Sequence, residues 1–254
     1  MRAHAALSPS DSHRWLNCAG AINATEGEKE KPSSVYAAEG TAAHSLLEMT
    51  FRLDCTPEEM IDVCIHRENN VEYFVTESMA SAVGHAADYV NSYVVRNPKT
   101  VVYVEHQVRT GIFTKRGEVT GTSDIILDNW PIELVAVDYK HGAGIAVNVD
   151  KNTQLRIYLL GARHVSKRRY KRYRSVVIQP RMVHEAGPVR QEILTNAELD
   201  AFDAAVRKRA VLTDNPKAPR KAGSWCRWCG VAGQCKTLAE YSLATAEIRF
   251  KDAV

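Results

Sequence analysis

Two neighbouring stretches decide the fold: Gly121-Thr-Ser-Asp-Ile-Ile-Leu127 and, after a turn former at Asp128-Asn129, Leu134-Val-Ala-Val-Asp-Tyr-Lys-His-Gly142. Both are rich in β-branched residues and read as strands. Charges sit awkwardly in them, because Asp124 directly precedes three apolar residues and Asp138 and Lys140 end an apolar run. Residues two apart on a strand share a face, so Asp138 and Lys140 project to one side and Tyr139 to the other. A hairpin connection brings Asp124 beside Asp138. Two carboxylates so placed repel unless a divalent cation neutralises them, and Mg2+ prefers such hard oxygen ligands. The pair predicts a metal site.

Around these strands the periodicity predicts an α/β core with helical additions. Val35 to Leu53 has helical spacing, with Ala38, Ala42, Leu46 and Leu47 on one face. Thr56-Pro57 reads as the opening of a second helix through about Ile65, and Glu72 to Val95 as a third, ended by Asn97-Pro98. Val101 to Val108, Gly117 to Leu127 and Leu134 to Tyr139 read as strands, Asn152 to Val165 as a helix, Ser175 to Met182 as a strand and Ala197 to Leu212 as a helix.

The chain has 254 residues, 45% of them hydrophobic and 25% charged, which fits a globular protein and excludes a disordered tail or a fibre. The longest apolar runs, such as Ile157 to Ala162, are too short to span a membrane. No secretory core is seen near the start, so a cytoplasmic location is expected. The net charge is only +3, but Leu160 to Lys236 holds 17 Lys or Arg against 6 Asp or Glu. The densest part is Ala162 to Arg174, where Arg163, Lys167, Arg168, Arg169, Lys171 and Arg172 interleave with tyrosine, a pattern suited to phosphate contact.

Six cysteines are present, and Cys226, Cys229 and Cys235 form C-x2-C-x5-C among glycines and small residues. In a reducing compartment such clustering favours metal over disulfide. Three thiolates leave a four-ligand site one short, and Cys18 is the expected fourth; zinc and a cubane iron-sulfur cluster both fit that set. Cys55 and Cys64, in stretches read as helical, are expected to be small buried hydrophobes.

The series G-x-x-D (Gly121 to Asp124), D-x-K (Asp138 to Lys140) and Q-x3-Y (Gln154 to Tyr158) resembles the PD-(D/E)xK nuclease superfamily, in particular the RecB-like branch and its compact phage exonucleases. Ser123 stands where the superfamily name has proline, a departure common in that branch. The resemblance implies a restriction-endonuclease-like core, a central mixed sheet flanked by helices. It implies one nuclease domain over 1–254, with a helical part at 18–98, the catalytic core at 99–212 and the cysteine motif at 213–240. His44, Asp124, Asp138 and the Tyr139 carbonyl would hold Mg2+ or Mn2+. Lys140 would be the catalytic lysine, and Gln154 and Tyr158, one helical turn apart, would face the nucleic acid or its attacking water. Glu48 and Glu105 are weighed as helpers and read as surface residues. The split cysteines are similar to the branch's [4Fe-4S] staple, with zinc as the alternative. DNA is the implied partner, with a phage single-strand annealing protein beside it, and the number of subunits stays open. The implied activity is a metal-dependent DNA exonuclease serving phage recombination or DNA processing. A catalytically inactive nucleic-acid-binding protein with a structural metal cluster is the other reading.

Overall fold

The structure, a computed structural model, describes residues 5–28 and 34–251. Two short helices, α1 (Ser12–Asn17) and α2 (Gly20–Ala24), precede α3 (Val35–Arg52). A hairpin of β1 (Cys64–Glu68) and β2 (Val71–Phe74) leads to α4 (Glu77–Arg96). Then come β3 (Val101–Thr114), β4 (Gly117–Asn129), β5 (Glu133–Tyr139), α5 (Thr153–Ser166), β6 (Arg172–Ile178), β7 (Val189–Leu194), α6 (Asn196–Leu212) and α7 (Lys236–Lys251). The central sheet has the order β3-β4-β5-β6-β7. All neighbours are antiparallel except β5 and β6, which are parallel and joined by the crossover helix α5.

The composition of β5 follows from its place. All seven of its residues are buried, and they alternate between two cores, which is why the strand reads as an almost unbroken apolar run. Leu134 and Ala136 face a core built with Leu155 and Leu159 of α5, Leu199 and Val206 of α6, and Trp15 of α1. Val135, Val137 and Tyr139 face the other, with Leu46 and Leu47 of α3 and Val83 and Val90 of α4. The fold is thus a mixed α/β structure, a five-stranded mixed sheet with helices on both faces.

Four sequence expectations are corrected. The helix read from Thr56 to Ile65 is a short 3-10 turn over Glu58–Met60, and the chain enters β1 at Cys64. The long helix read from Glu72 begins only at Glu77, because Thr76 caps it by accepting from the Met79 N–H, and Glu72 belongs to β2. Asn69 and Asn70, both at positive φ (51° and 63°), form the tight hairpin turn. Cys55 and Cys64 are therefore not helical core residues; each is only half-buried, one after α3 and one opening β1. The strand read from Ser175 starts at Arg172 and stops before Gln179-Pro180. Three helices (α1, α2, α7) and β7 had no counterpart in the sequence reading.

Candidate active site

The central strands deliver three carboxylates to one level of the sheet. The register Ile125↔Val137 sets Asp124 beside Asp138, and the pairing of Val104 with Ile125 and His106 with Ser123 sets Glu105 across from Asp124 on the other side. Glu105 itself has φ 46°, a turned backbone between two ladder pairs. The ligand atoms of His44, Glu105 and Asp124 all lie within 4.8 Å of one another. His44 comes from α3, its Nδ1 3.4 Å from Asp124 Oδ1 and its ring edge-on to that of Tyr139, 5.6 Å between centroids. The Tyr139 N–H donates to Asp124 Oδ2 (2.7 Å).

The other half of the site lies on the α5 side. Lys140 Nζ donates to Asp138 Oδ1 at 3.0 Å, and Gln154 Nε2 donates to the same oxygen at 3.0 Å and to the Tyr158 hydroxyl at 2.9 Å. Asn152 caps α5 by accepting from the Leu155 N–H, which aims Gln154 and Tyr158, four apart, toward the strand end. Asp138 Oδ2 is buried and makes no well-formed hydrogen bond, although Lys140 Nζ is also 3.0 Å from it. The Lys140 N–H donates to the Ile178 carbonyl and so extends the β5–β6 ladder past Tyr139.

Burial and neighbouring charge shift these groups in opposite directions. Burial alone would lower the His44 pKa, but the Asp124 carboxylate more than offsets it and the net shift is upward. Burial opposes ionisation of Asp124, yet His44, Lys140 and the Tyr139 N–H together keep it below the usual carboxylate range. Asp138 goes the other way, raised by burial and by the neighbouring Asp124 charge despite Lys140. Burial and then Asp124 push Glu105 up to about 7. An imidazole and carboxylate oxygens this close, with a buried oxygen lacking a good donor and a carboxyl reluctant to ionise, fit a hard divalent cation.

Glu105 is the residue that sequence reasoning set aside. Counting back along the β3–β4 hairpin from its Lys115-Arg116 turn would pair it with Ile126; the register shift between Arg109 and Phe113 moves the pairing by two residues to Asp124, so no local sequence signal could have found it. Glu48, by contrast, pairs on the helix surface with Arg52 at 2.7 Å. Beside the site opens a cleft of about 740 Å³, lined by Glu105, Gln107, Thr120, Thr122, Tyr158 and the Ser8–Ser10 segment. Gly121 permits that wall, since a Cβ there would come within 2.6 Å of Pro9 Cδ.

Cys18, Cys226, Cys229 and Cys235 line one small, almost wholly apolar cavity together with Arg14 and Trp225. The Lys221 N–H donates to Cys18 Sγ at 3.3 Å, and an Arg14 nitrogen lies 3.9 Å from Cys229 Sγ. Among the described residues, no three of these thiols lie within 4.8 Å of one another.

The basic stretch is not at the carboxylates. It connects α5 to β6 at the opposite end of the sheet, and much of its charge is answered by acids. Arg163 and Arg169 both pair with Asp200 (2.6 Å each), and Arg168 approaches Asp128 (3.4 Å). Arg163 also lies over the Tyr173 ring, 5.7 Å from its centroid. Lys167 ends α5 in the left-handed conformation, while the Lys171 and Arg172 amides bond to the Pro131 and Ile132 carbonyls.

Three solved structures are similar in outline. A protein of Eubacterium rectale, provisionally named an exonuclease, is 11% identical, with 91% of this chain and 88% of that one covered and a TM-score of 0.48. The protein SSO0001 is 12% identical over 89% and 96%, with a TM-score of 0.34. An alkaline exonuclease of Laribacter hongkongensis is 9% identical over 78% and 90%, with a TM-score of 0.29. Residues 4–254 match the model of the family described as a protein of unknown function, DUF2800, and the chain belongs to that family.

Proposed function

We propose that this protein is a metal-dependent DNA exonuclease of the PD-(D/E)xK, RecB-like kind, acting in phage recombination or DNA processing. The observation that carries the reading is the convergence of His44, Glu105 and Asp124 beside the Asp138–Lys140–Gln154 group, at the edge of an open cleft. His44, Glu105, Asp124, Asp138 and the Tyr139 carbonyl would hold Mg2+ or Mn2+. When bound, such an ion supplies an acidified water and offsets charge on a phosphoryl oxygen. The chain supplies the rest. Lys140 presents an ammonium whose pKa burial would depress but whose two aspartate neighbours keep high, so it stays charged and stabilises negative charge growing on the phosphate. Gln154 fixes Asp138 by donating to it and orients the Tyr158 hydroxyl toward the cleft wall. End-directed cutting and a single-strand annealing partner rest on the motif resemblance.

The four cysteines are proposed to hold a [4Fe-4S] cluster. The four line one cavity, Cys18 buried and the other three half-buried, with Arg14 and the Lys221 N–H placed to offset sulfur charge, and the choice of a cluster over zinc rests on the motif resemblance.

Purified protein incubated with linear and circular DNA in Mg2+, Mn2+ or EDTA tests the reading. Linear DNA is expected to be degraded only with a divalent ion, and Lys140→Ala to be slower by about 10²–10³-fold. DNA binding without metal-dependent degradation would overturn the enzyme and leave a binding module.

A further inference from the structure

The end of the sheet away from the carboxylates holds a second built cavity. Its volume is about 550 Å³, the size of an ordinary small-ligand site, and Arg96, Arg172, Arg174, Tyr89, Asn97 and Asn129 are among its lining residues. Its floor is Glu133, only 2% exposed. Glu133 Oε1 accepts from Arg172 Nε (2.6 Å) and from Arg174 Nε and Nη2 (3.1 and 2.9 Å), while Oε2 accepts from the Tyr93 hydroxyl at 3.1 Å. One buried acid thus anchors two guanidinium groups before any ligand arrives. With three arginines against one carboxylate, the pocket keeps an excess of positive charge.

Some of that charge is unspent. Arg96 uses only Nε, toward the Ser92 carbonyl, and Arg172 only Nε, toward Glu133, so among the described residues their terminal nitrogens have no protein partner. Beside Asn129 in the chain stands Trp130, 53% exposed, with the Arg168 guanidinium over its ring at 5.4 Å. Lys171 follows on the same connection, its amide bonded to the Pro131 carbonyl. Free guanidinium forks, an exposed indole and amide side chains are the components that track a polynucleotide backbone and stack its bases.

We infer that the Arg96–Arg172 pocket and the Trp130–Arg168 rim bind a single strand of the nucleic acid at a distance from where it is cut. The inference rests on the nucleic-acid part of the proposed function and gives the basic stretch a place in it. Five steps along β5, from Glu133 to Asp138, separate this pocket from the carboxylates by about 17 Å, so the nucleotides held here are not those that flank the scissile bond. The pocket lies between Tyr89, Tyr93 and Arg96 of α4 and the sheet residues Glu133, Arg172 and Arg174.

The test is binding of a fluorescein-labelled oligo(dT) to the full chain in EDTA, followed by anisotropy across a salt series. Arg96→Gln touches no partner of Glu133 and is expected to fold as the parent does, with the same circular dichroism and melting. It should weaken binding about five- to tenfold and flatten the logarithmic salt slope by about 0.7, the value of one lost phosphate contact on a single strand. Trp130→Ala should weaken binding by a similar factor with the slope unchanged, because stacking releases no counterion. Parental affinity and slope in both variants would overturn the inference. So would displacement of the oligonucleotide by free dTMP at an equal nucleotide concentration, which would make the cavity a mononucleotide site. Since no hydrolysis is read, the two proposals fail separately: a chain that digests no DNA yet loses binding in Arg96→Gln retains this site, and a chain that digests DNA with binding unaltered loses it.

Discussion

Glu105 is the side chain whose protonation bears most on the proposed site. Its pKa of about 7 stands above that of a free glutamate, so between about pH 4.5 and 7 the folded protein holds a proton that the unfolded chain has released. The folded state binds more protons in that window, and stability therefore falls as pH rises through it. Melting in EDTA should show Glu105→Gln gaining on the parent from pH 5 to pH 8; parallel melting curves would refute the assignment. A divalent ion reverses the balance, because a ligand must be ionised to bind. Calorimetric titration with Mn2+ at pH 6 in buffers of different ionisation enthalpy should show protons released from both Glu105 and His44, and about one fewer in Glu105→Gln. That Asp138 shares a face with Lys140, and Gln154 with Tyr158, was legible because D-x-K and Q-x3-Y each fall within a short local span where geometry fixes the face, whereas the place of His44 beside Asp124 was implied only by the family resemblance. Glu105 was not legible, since its place beside Asp124 depends on how two long strands register.

The elements that carry the site are held by close backbone approaches. At Gly121 the obstacle to a side chain is the Pro9 ring, and at Gly161 it is Val108, whose Cβ would be 2.7 Å from an added one as α5 lies on β3. Gly121→Ala and Gly161→Ala are each expected to cost about 1–3 kcal/mol by overpacking, measured by urea denaturation. For Gly121→Ala the loss should be accompanied by weaker substrate binding, since Pro9 is part of the cleft wall. The long strands, α3, α5 and α6 were readable because apolar periodicity and caps agree over many residues. The β1–β2 hairpin was missed because its apolar residues, Ile65, Val71, Tyr73 and Phe74, are few and half-exposed, and the Asn69-Asn70 turn signal is short. Thr76 lies where either a strand or a helix could begin, and only packing of Met79 and Val83 against α3 decides for the helix.

At the scale of the whole molecule, charge and chain closure each have a direction. Carboxylates gather at one end of the sheet and arginines at the other, a polarity that orients a polyanion before contact. A cluster joining Cys18 to Cys226 would close a loop of about 200 residues, which the chain-entropy argument values at about 5 kcal/mol. Cys229→Ala is accordingly expected to lose the brown chromophore and to melt well below the parent. A colourless parent, or a variant equal to it in stability, would exclude that staple. The cysteine spacing was plain in the sequence; Cys18 was chosen as the fourth from the ligand count and its local segment, with the resemblance added to it, because no local pattern links residues so far apart.

Leu7 and Trp15 are buried among residues of α5 and α6, and Ser12 hydrogen-bonds to Thr153 at the start of α5. The cleft wall formed by Ser8–Ser10 therefore has nothing to rest on until elements made more than a hundred residues later have emerged from the ribosome.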